Sequence, residues 1–436
     1  MPNKCLFYWM RYKHLMNNQL ARNILSNYFA VIWMGGISVV FIPIYFRKLG
    51  SGQWGIVAIC VALQSLFSLL DAGLAQIMPR DVARVSADPK NTLKVYKVYA
   101  HSYICLGLIG FLLAQLAIPW LTAHWFSDGK EFSFDDRLAF HLVMVQFLFQ
   151  FANNANTGFW NGIQSQGLAN WRLCFFGTLK HISAVLLVLI WQPTALAYLL
   201  PFVVIAAVEY FSNFRHIMFG FKGFHPPLLR YQDYLNLAKE TGVFFVGVLL
   251  GMLASQMDRI VLTHYVSAAS FGTYAVVLSL GLAFMQLQAP LVRAFLPKIA
   301  TDDPSKERRS FIHLALGITI FCVLPCIIFG LASSTVLQFW IASPEVTKEG
   351  GFALRMIFFS VALNAIYQLV YQKLLIQNKG AVIVKINSLI MFITVPVLIL
   401  TSAEIGISAG GIYWFLMCLL QLIFGVLWLR FTKKRT

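Results

Sequence analysis

Several charged side chains lie inside long apolar segments of this sequence, where a charge is costly. The bases are Lys180, Arg259 and Arg355, and the acids are Asp71, Glu209 and Asp258. A charge at the centre of a bilayer costs about 2.5 to 3.5 kcal/mol, so these groups should face the interior of a helix bundle or a wet cavity. The bases are candidates for binding an anion. The alternative is an internal ion pair, such as Asp71 or Glu209 with Lys180.

Amide side chains recur at three- and four-residue spacing on two of the apolar segments. They are Gln146, Gln150 and Asn153 in one segment, and Asn364, Gln368 and Gln372 in the other. Amides inside a membrane bond neighbouring helices at about 0.6 kcal/mol each, which would make these stripes packing contacts. Amides beside aromatic rings such as Tyr367 and Tyr371 also suit a sugar, because hydroxyls need both donors and acceptors. Both interpretations stay open.

The composition indicates what kind of protein holds these groups. Hydrophobic residues make up 59% of the 436 residues and charged residues 12%, with a mean hydropathy of +0.71, whereas soluble domains have about 25% charged residues. The chain is therefore predicted to be an all-α protein that crosses the membrane many times. No segment between the apolar runs is long enough to hold a soluble enzyme domain. The seven scattered cysteines predict neither a metal site nor disulfides.

A transmembrane helix needs about 20 residues, and the apolar pattern predicts about twelve such helices. They cover residues 25–46, 54–77, 98–121, 138–160, 172–191, 196–214, 240–264, 271–296, 311–336, 352–373, 381–402 and 408–429. The residues before the first span are basic and mixed, and the apolar run 25–46 has no small-residue cleavage site, so this span is expected to be retained.

The basic residues indicate the orientation of the bundle. The net charge is +17, but the Lys and Arg residues lie in short segments between spans, which favours a role in topology over nucleic-acid binding. Most of them fall on one side of the predicted membrane, together with the N-terminus and the basic tail 430–436. The positive-inside rule then predicts that both termini are cytoplasmic.

The two halves of the sequence carry a weak repeat. Trp54-Gly55 opens an apolar run that closes on Met78-Pro79-Arg80, and Phe271-Gly272 opens one that closes on Leu296-Pro297-Lys298. Such internal symmetry is typical of transporters, and six spans per half predict an axis along the membrane normal. The predicted parts are an N-terminal segment 1–24, an N-lobe 25–220, a linker 221–239, a C-lobe 240–429 and a tail 430–436.

Four runs of the sequence resemble the polysaccharide-export family of Wzx-type O-antigen flippases, within the multidrug/oligosaccharidyl-lipid/polysaccharide exporter superfamily. These runs are PIYFRKLGSGQWGIVA (43–58), LLDAGLAQIMPRDVA (69–83), NGIQSQG (161–167) and MDRIVLTHYVSAASFGTYAVV (257–277). The resemblance implies two six-helix lobes around a central cavity. It also implies movement of an undecaprenyl-pyrophosphate-linked oligosaccharide from the cytoplasmic to the periplasmic leaflet of a bacterial inner membrane.

On this basis we expect a flippase that makes and breaks no covalent bond and needs no cofactor. Lys180, Arg259 and Arg355 become candidates for binding the pyrophosphate, the amide stripes candidates for the glycan path, and Asp71, Glu209 and Asp258 candidates for ion coupling. Beyond the bilayer and the lipid-linked substrate, a polysaccharide polymerase and a chain-length regulator are suggested partners; nucleic acid is not. The alternatives are a peptidoglycan lipid-precursor flippase, a cation-coupled drug exporter and a membrane-embedded glycan ligase or polymerase.

Overall fold

The computed structural model describes residues 16–71, 73–125, 132–288, 291–292, 304–376 and 379–433. All regular secondary structure within these residues is helical. The chain forms two compact units. Unit 1 contains residues up to Ser38, Leu63–Trp120 and Ser133–Leu249, and unit 2 contains Val39–Ala62, Leu121–Phe132 and the chain from Leu250 onward. The lobe boundaries drawn from the sequence stay predictions.

Helices account for most of both units. In chain order they are α1 (Met16–Phe67), α2 (Leu74–Val85), α3 (Pro89–Trp120), α4 (Phe134–Gly162), α5 (Gln166–Ile190), α6 (Ala195–Gly220), α7 (Tyr231–Ala254), α8 (Met257–Tyr265), α9 (Ala268–Gln286), α10 (Pro304–Ile318), α11 (Leu324–Leu331), α12 (Ser333–Trp340), α13 (Pro344–Ile376), α14 (Gly380–Ile405) and α15 (Ser408–Lys433). A 3-10 turn covers Ser68–Asp71, and π-helical turns cover Leu121–Trp125 and Thr319–Val323. Helix α1 is interrupted at Gly50, whose φ of 75° lies in the left-handed region, between the first two predicted spans.

Nine stretches of the described helices are long and apolar enough to cross a membrane. One of them, Leu25–Asp71, covers the first two predicted spans. Helix α4 lies over the fourth predicted span but is not among the nine, since its amides lower its hydropathy. The seventh predicted span lies over α7 and α8, which a break separates. The multispanning all-helical fold is thus confirmed, while twelve spans and cytoplasmic termini stay predictions.

The two helices that carry the amide stripes occupy the middle of their units. Helix α4 packs against α2, α3 and α6 in unit 1. Helix α13 packs against α9, α11, α12 and α15 in unit 2. The stripes are therefore held by several neighbouring helices rather than carried on peripheral ones.

The two glycines of the repeated aromatic-Gly motif pack against each other within unit 2. A Cβ atom on Gly272 would lie 2.9 Å from the Cα of Gly55, and a Cβ on Gly55 would overlap the backbone carbonyl of Ala268. Glycine lets the backbones of two helices approach this closely because no side chain separates them. The repeat found in the sequence therefore marks a close helix contact between α1 and α9.

Candidate functional site

Lys180 of α5 and Glu209 of α6 form a buried ion pair in unit 1. The Lys180 Nζ donates to Glu209 Oε2 at 2.6 Å, and the two side chains are 9% and 10% exposed. Glu209 Oε1 also accepts a hydrogen bond from the Asn153 amide at 3.1 Å. Of the two interpretations of Lys180, the described conformation contains the internal ion pair. Pyrophosphate binding by Lys180 stays a prediction.

The ion pair continues into a network of amides, which we call the unit 1 network. The side-chain oxygen of Asn153 accepts from the amides of Asn156 and Asn213, both at 2.9 Å. Tyr96 donates to Asn156 Oδ1 at 2.7 Å. These buried groups satisfy one another, so this part of the α4 stripe needs no ligand to complete its hydrogen bonds.

Arg172, near the start of α5, joins the same network and was not a site candidate in the sequence. Its Nη1 donates to Asn213 Oδ1 at 2.6 Å and to Ser212 Oγ at 3.1 Å, and its guanidinium carbon lies 5.3 Å from the centre of the Trp160 ring. Its Nε is buried and has no hydrogen-bond partner among the described residues. In the sequence it lies at the boundary of the fifth predicted span, where a basic residue indicates topology, and its spacing gives no signal of these contacts.

The remaining glutamines of the α4 stripe differ from each other. Gln150 accepts a hydrogen bond from the Gln64 amide. Gln146 is 5% exposed, and its Oε1 is buried with no hydrogen-bond partner among the residues that the structure describes. One end of the stripe is therefore left open to a donor.

Asp71 ends the 3-10 turn that precedes α2, and a tyrosine holds it. Tyr103 donates to Asp71 Oδ1 at 2.6 Å, while Tyr99, one turn earlier on α3, donates to Asp81 at 2.7 Å. Tyr96, Tyr99 and Tyr103 thus lie on one face of α3, and each hydroxyl donates to an acceptor outside that helix. Their spacing of three and four residues in the sequence indicates that one face of this helix carries three hydrogen-bond donors.

Asp258 is the most enclosed charged candidate in unit 2. It lies in the first turn of α8, directly after the break from α7, and is 0% exposed. Its Oδ2 accepts from the Tyr274 hydroxyl at 2.5 Å and from the Trp414 indole at 2.8 Å. Its Oδ1 is buried without a partner among the described residues. Tyr413 donates to the carbonyl of Ala254, the last residue of α7, at 2.5 Å and so holds the other side of the break.

The two candidate arginines of unit 2 have different surroundings. Arg259 follows Asp258 on α8, is half-buried and donates to the Gln256 side chain. Arg355 lies on α13, and its Nε is buried with no hydrogen-bond partner in the described part of the chain. Neither arginine forms an ion pair with a described residue. Arg355 therefore keeps unused donor capacity on the helix that carries the second amide stripe.

Two of the three amides in the stripe of α13 have an unpaired oxygen, whereas most of the stripe on α4 is bonded to the protein. Asn364 and Gln372 are buried, Gln368 is half-buried, and Asn364 Oδ1, Gln372 Oε1 and the Tyr367 hydroxyl have no hydrogen-bond partner among the described residues. An unpaired buried polar group costs about 1 to 3 kcal/mol, so such groups in native proteins usually bind water or a ligand.

Helix α15 adds a fourth unpaired oxygen to this region. Gly411 packs against Ala353, and Gly425 against Tyr367 and Val370, so α13 and α15 run parallel. This register places Gln421 of α15 opposite Asn364. The Gln421 amide donates to Asn387 Oδ1 of α14 at 3.1 Å, but its Oε1 is buried without a partner among the described residues. We call these four groups the unit 2 acceptor cluster; they are Asn364, Tyr367, Gln372 and Gln421.

A cluster of ion pairs joins α2 and α3 to the start of α7 within unit 1. Arg80 contacts Glu240 at 3.0 Å, and Lys94 contacts Asp233 at 2.7 Å. Asp233 also accepts from the backbone N–H of Arg230 at 2.8 Å. These contacts border a cavity of about 370 Å³. The linker predicted at 221–239 therefore ends in a helix that is fixed to α3.

Lowering the pH should weaken this contact between α3 and α7. The hydrogen bond from Lys94 lowers the pKa of Asp233. A carboxyl group with a lowered pKa stabilises the fold above its unfolded-state pKa of about 3.9, and this contribution is lost as the pH falls through the folded-state pKa. Asp233→Asn should cost less than about 1 kcal/mol at pH 7, since both partners are partly exposed. Its Tm difference from the wild type should begin to shrink below about pH 4 and disappear as the pH falls through the folded-state pKa. A constant Tm difference between pH 7 and 3 would contradict this role.

The family described as "Polysaccharide biosynthesis protein" matches residues 20–301 of the sequence. This chain belongs to that family. The match begins within α1, includes the rest of unit 1 and reaches the part of unit 2 that contains Asp258 and Tyr274. The family resemblance expected from the four sequence runs is thereby confirmed.

Two curated relatives carry the name "Putative O-antigen transporter". The protein of Salmonella typhi is 22% identical over 291 residues, which cover 61% of this chain and 62% of that protein. The protein of Shigella flexneri is 21% identical over 327 residues, 74% of this chain and 76% of that protein. The match therefore spans less than two thirds of the Salmonella typhi protein's length.

Solved structures with the same fold include two transporters. The lipid II flippase MurJ in its inward closed conformation gives a TM-score of 0.69 at 12% identity, covering 93% of this chain and 87% of that one. The eukaryotic MATE transporter AtDTX14 gives 0.64 at 10% identity, covering 93% and 96%. At such identities these structures show the fold alone. Both curated relatives are named as transporters, in agreement with the prediction that the chain is not an enzyme.

Proposed function

We propose that this protein moves an undecaprenyl-pyrophosphate-linked oligosaccharide from the cytoplasmic to the periplasmic leaflet of a bacterial inner membrane. The family match and the names of the relatives support a polysaccharide substrate. The observation that carries the proposal further is the unit 2 acceptor cluster, because its buried oxygens lack donors and sugar hydroxyls supply them. A polysaccharide polymerase and a chain-length regulator are proposed partners of the same process.

In this mechanism the diphosphate and the sugar use different groups. Arg355 and Arg259 hold the diphosphate through charge-assisted hydrogen bonds. The glycan hydroxyls donate to the unit 2 acceptor cluster and exchange hydrogen bonds with Gln368. The α4 stripe stays the other proposed set of glycan contacts. The polyprenyl tail stays in lipid. The protein moves the headgroup by alternating access, and a membrane potential that is negative inside favours outward movement of an anion by about 2.3 kcal/mol per charge per 100 mV.

Lys180 and Glu209 enter this mechanism as a pair. While Glu209 is ionised it retains the Lys180 ammonium at 2.6 Å. Release of Lys180 from Glu209 frees its ammonium to bind the diphosphate and leaves the Glu209 carboxylate open to a coupling cation. Asp258 and Asp71 are the other proposed coupling groups, and Asp258 has an unpaired carboxylate oxygen. Translocation measured in proteoliposomes with imposed proton or sodium gradients tests this coupling, and equal rates in all gradients would exclude it.

Replacing Gln372 by methionine should separate transport from stability. Removing a buried amide whose oxygen is unpaired is close to neutral for folding, or stabilising, when an apolar side chain of similar shape replaces it. The loss of one hydrogen bond to the substrate, about 1 kcal/mol, should slow oligosaccharide-lipid translocation by about fivefold. Translocation in proteoliposomes and Tm in detergent measure the two effects.

The matched control is Gln338→Met, because Gln338 is exposed on α12. This variant should keep the wild-type rate. An unchanged rate in Gln372→Met, or a loss of rate that follows a loss of Tm, would contradict hydroxyl binding at the acceptor cluster. Including a peptidoglycan lipid precursor as a second substrate distinguishes the proposed function from that of a precursor flippase.

A further inference from the structure

An open groove runs along the outer side of α6 in unit 1. Its lining comes from two rows of residues that are four positions apart along the helix. The rows are Val203, Ala207, Phe211 and Arg215, and Val204, Val208 and Ser212. Side chains at four-residue spacing form the ridges of an α-helix, so two adjacent rows border an open groove between them.

The groove has the dimensions of one lipid chain. Its volume is about 680 Å³. From residue 203 to residue 215 the helix rises about 18 Å, while the hydrocarbon of one leaflet is about 15 Å thick. The small side chain of Ala207 leaves space in the middle, and Val204, Val208 and Phe211 are 54%, 52% and 58% exposed along the same path. An apolar chain can therefore lie along the groove with its length matched to one leaflet.

One end of the groove is cationic. Arg215 lines this end and is exposed, and the Ser212 hydroxyl beside it accepts a hydrogen bond from Arg172 at 3.1 Å. Neither arginine forms an ion pair with a residue that the structure describes. The nearest acid along α6, Glu209, is engaged by Lys180. Two guanidinium groups thus lie at this end of the apolar groove without a direct ion pair to a described carboxylate.

This end faces the predicted cytoplasmic side. Helix α6 ends at Gly220, and the following segment 221–230 contains Lys222 and Arg230. Basic segments of this kind collect on the cytoplasmic face, where anionic lipids are enriched. The orientation therefore places the two arginines at the level of phosphate headgroups.

We propose that the α6 groove binds a phosphate-headed anionic lipid of the cytoplasmic leaflet. Arg215 and Arg172 donate to the headgroup phosphate, since guanidinium groups bond phosphate oxygens in pairs. The row from Phe211 to Val203 holds one acyl or prenyl chain. This site stands apart from the proposed transport function, because it needs neither the unit 2 acceptor cluster nor movement of the protein.

Lipid retention by the purified full-length protein tests the site. The probe is phosphatidylglycerol, added in detergent and counted as bound lipid by native mass spectrometry, with phosphatidylcholine as the zwitterionic comparison. Arg215→Gln should lower phosphatidylglycerol affinity by about fivefold, the effect of one cation near an anionic headgroup. Ala207→Trp should lower it similarly by filling the groove, and Ala207→Leu replaces it if the tryptophan variant is less stable.

The controls match each change. Arg430→Gln removes an exposed arginine near the end of α15, and Ala403→Trp enlarges an exposed alanine on α14; both should retain phosphatidylglycerol as the wild type does. Inorganic phosphate should not displace the lipid. Wild-type retention in Arg215→Gln and in the Ala207 variants would overturn the proposal. Displacement by phosphate, with no effect of filling the groove, would identify a simple anion site and overturn it as well.

Discussion

Gly55→Ala is expected to destabilise the protein by about 3 kcal/mol, at the upper end of the cost of overpacking a well-packed contact. The new Cβ atom would overlap the backbone carbonyl of Ala268 at the start of α9. A side chain in its place could rotate away, but a backbone carbonyl in a helix moves only with the helix. The measurements are Tm in detergent and the yield of folded protein after size-exclusion chromatography.

Gly52 provides the control on the same helix. A Cβ atom at Gly52 has nothing within 4 Å, so Gly52→Ala should stabilise the helix by up to about 1 kcal/mol because alanine is the better helix former. Gly272→Ala, whose Cβ would meet the Gly55 backbone at 2.9 Å, should behave like Gly55→Ala. Equal Tm values for the Gly52 and Gly55 variants would show that α1 and α9 do not approach as described.

These glycines also show which features of the fold could be predicted from the sequence. The Trp54-Gly55 and Phe271-Gly272 pairs revealed a repeat, yet nothing in their spacing indicates that the two glycines touch. Hydropathy reports which segments prefer lipid, so it located most of the helices and the interruption near Gly50. It does not report which faces meet, because aliphatic faces of many helices are equally apolar. The break between α7 and α8 was also missed, because both helices lie inside one apolar run and hydropathy does not change between them.

For the candidate site, the sequence identified polar groups but not their partners. The free-energy cost of placing a charge inside the membrane identifies Lys180, Glu209 and Asp258 from the sequence alone. The groups that hold them are amphipathic, such as Tyr274 and Trp414, which donate to Asp258. In an apolar sequence a buried tyrosine that donates a hydrogen bond looks the same as one that only packs. Only the regular spacing of the three tyrosines on α3 gave a usable signal.

The structure separates two stripes that the sequence could not tell apart. Both carry amides at helical spacing, but the α4 stripe is bonded mainly to its own unit, and the unit 2 acceptor cluster lacks donors. A satisfied network rigidifies a bundle, whereas an unsatisfied one gains from a polar ligand. This difference is why we place the main glycan contacts on α13 and use Gln372 rather than Asn153 as the test position.

Breaking the Lys180–Glu209 pair from one side is expected to be among the most destabilising changes in unit 1. Lys180→Met leaves the Glu209 carboxylate buried and unbalanced, and removing one partner of a buried pair costs about 3 to 5 kcal/mol. Glu209→Leu should cost a similar amount because it leaves the ammonium unpaired. Tm in detergent for both single variants provides the measurement.

The double variant Lys180→Met/Glu209→Leu decides what the pair does. Apolar residues of similar volume often replace a buried ion pair without loss of stability, so the double variant should regain most of the Tm, with an interaction energy of about 0.5 to 3 kcal/mol in the mutant cycle. If Lys180 binds the diphosphate once Glu209 releases it, this stable protein should still fail to translocate the oligosaccharide lipid. Recovery of translocation together with Tm would show instead that the pair only holds α5 to α6, and pyrophosphate binding would then fall to Arg259 and Arg355.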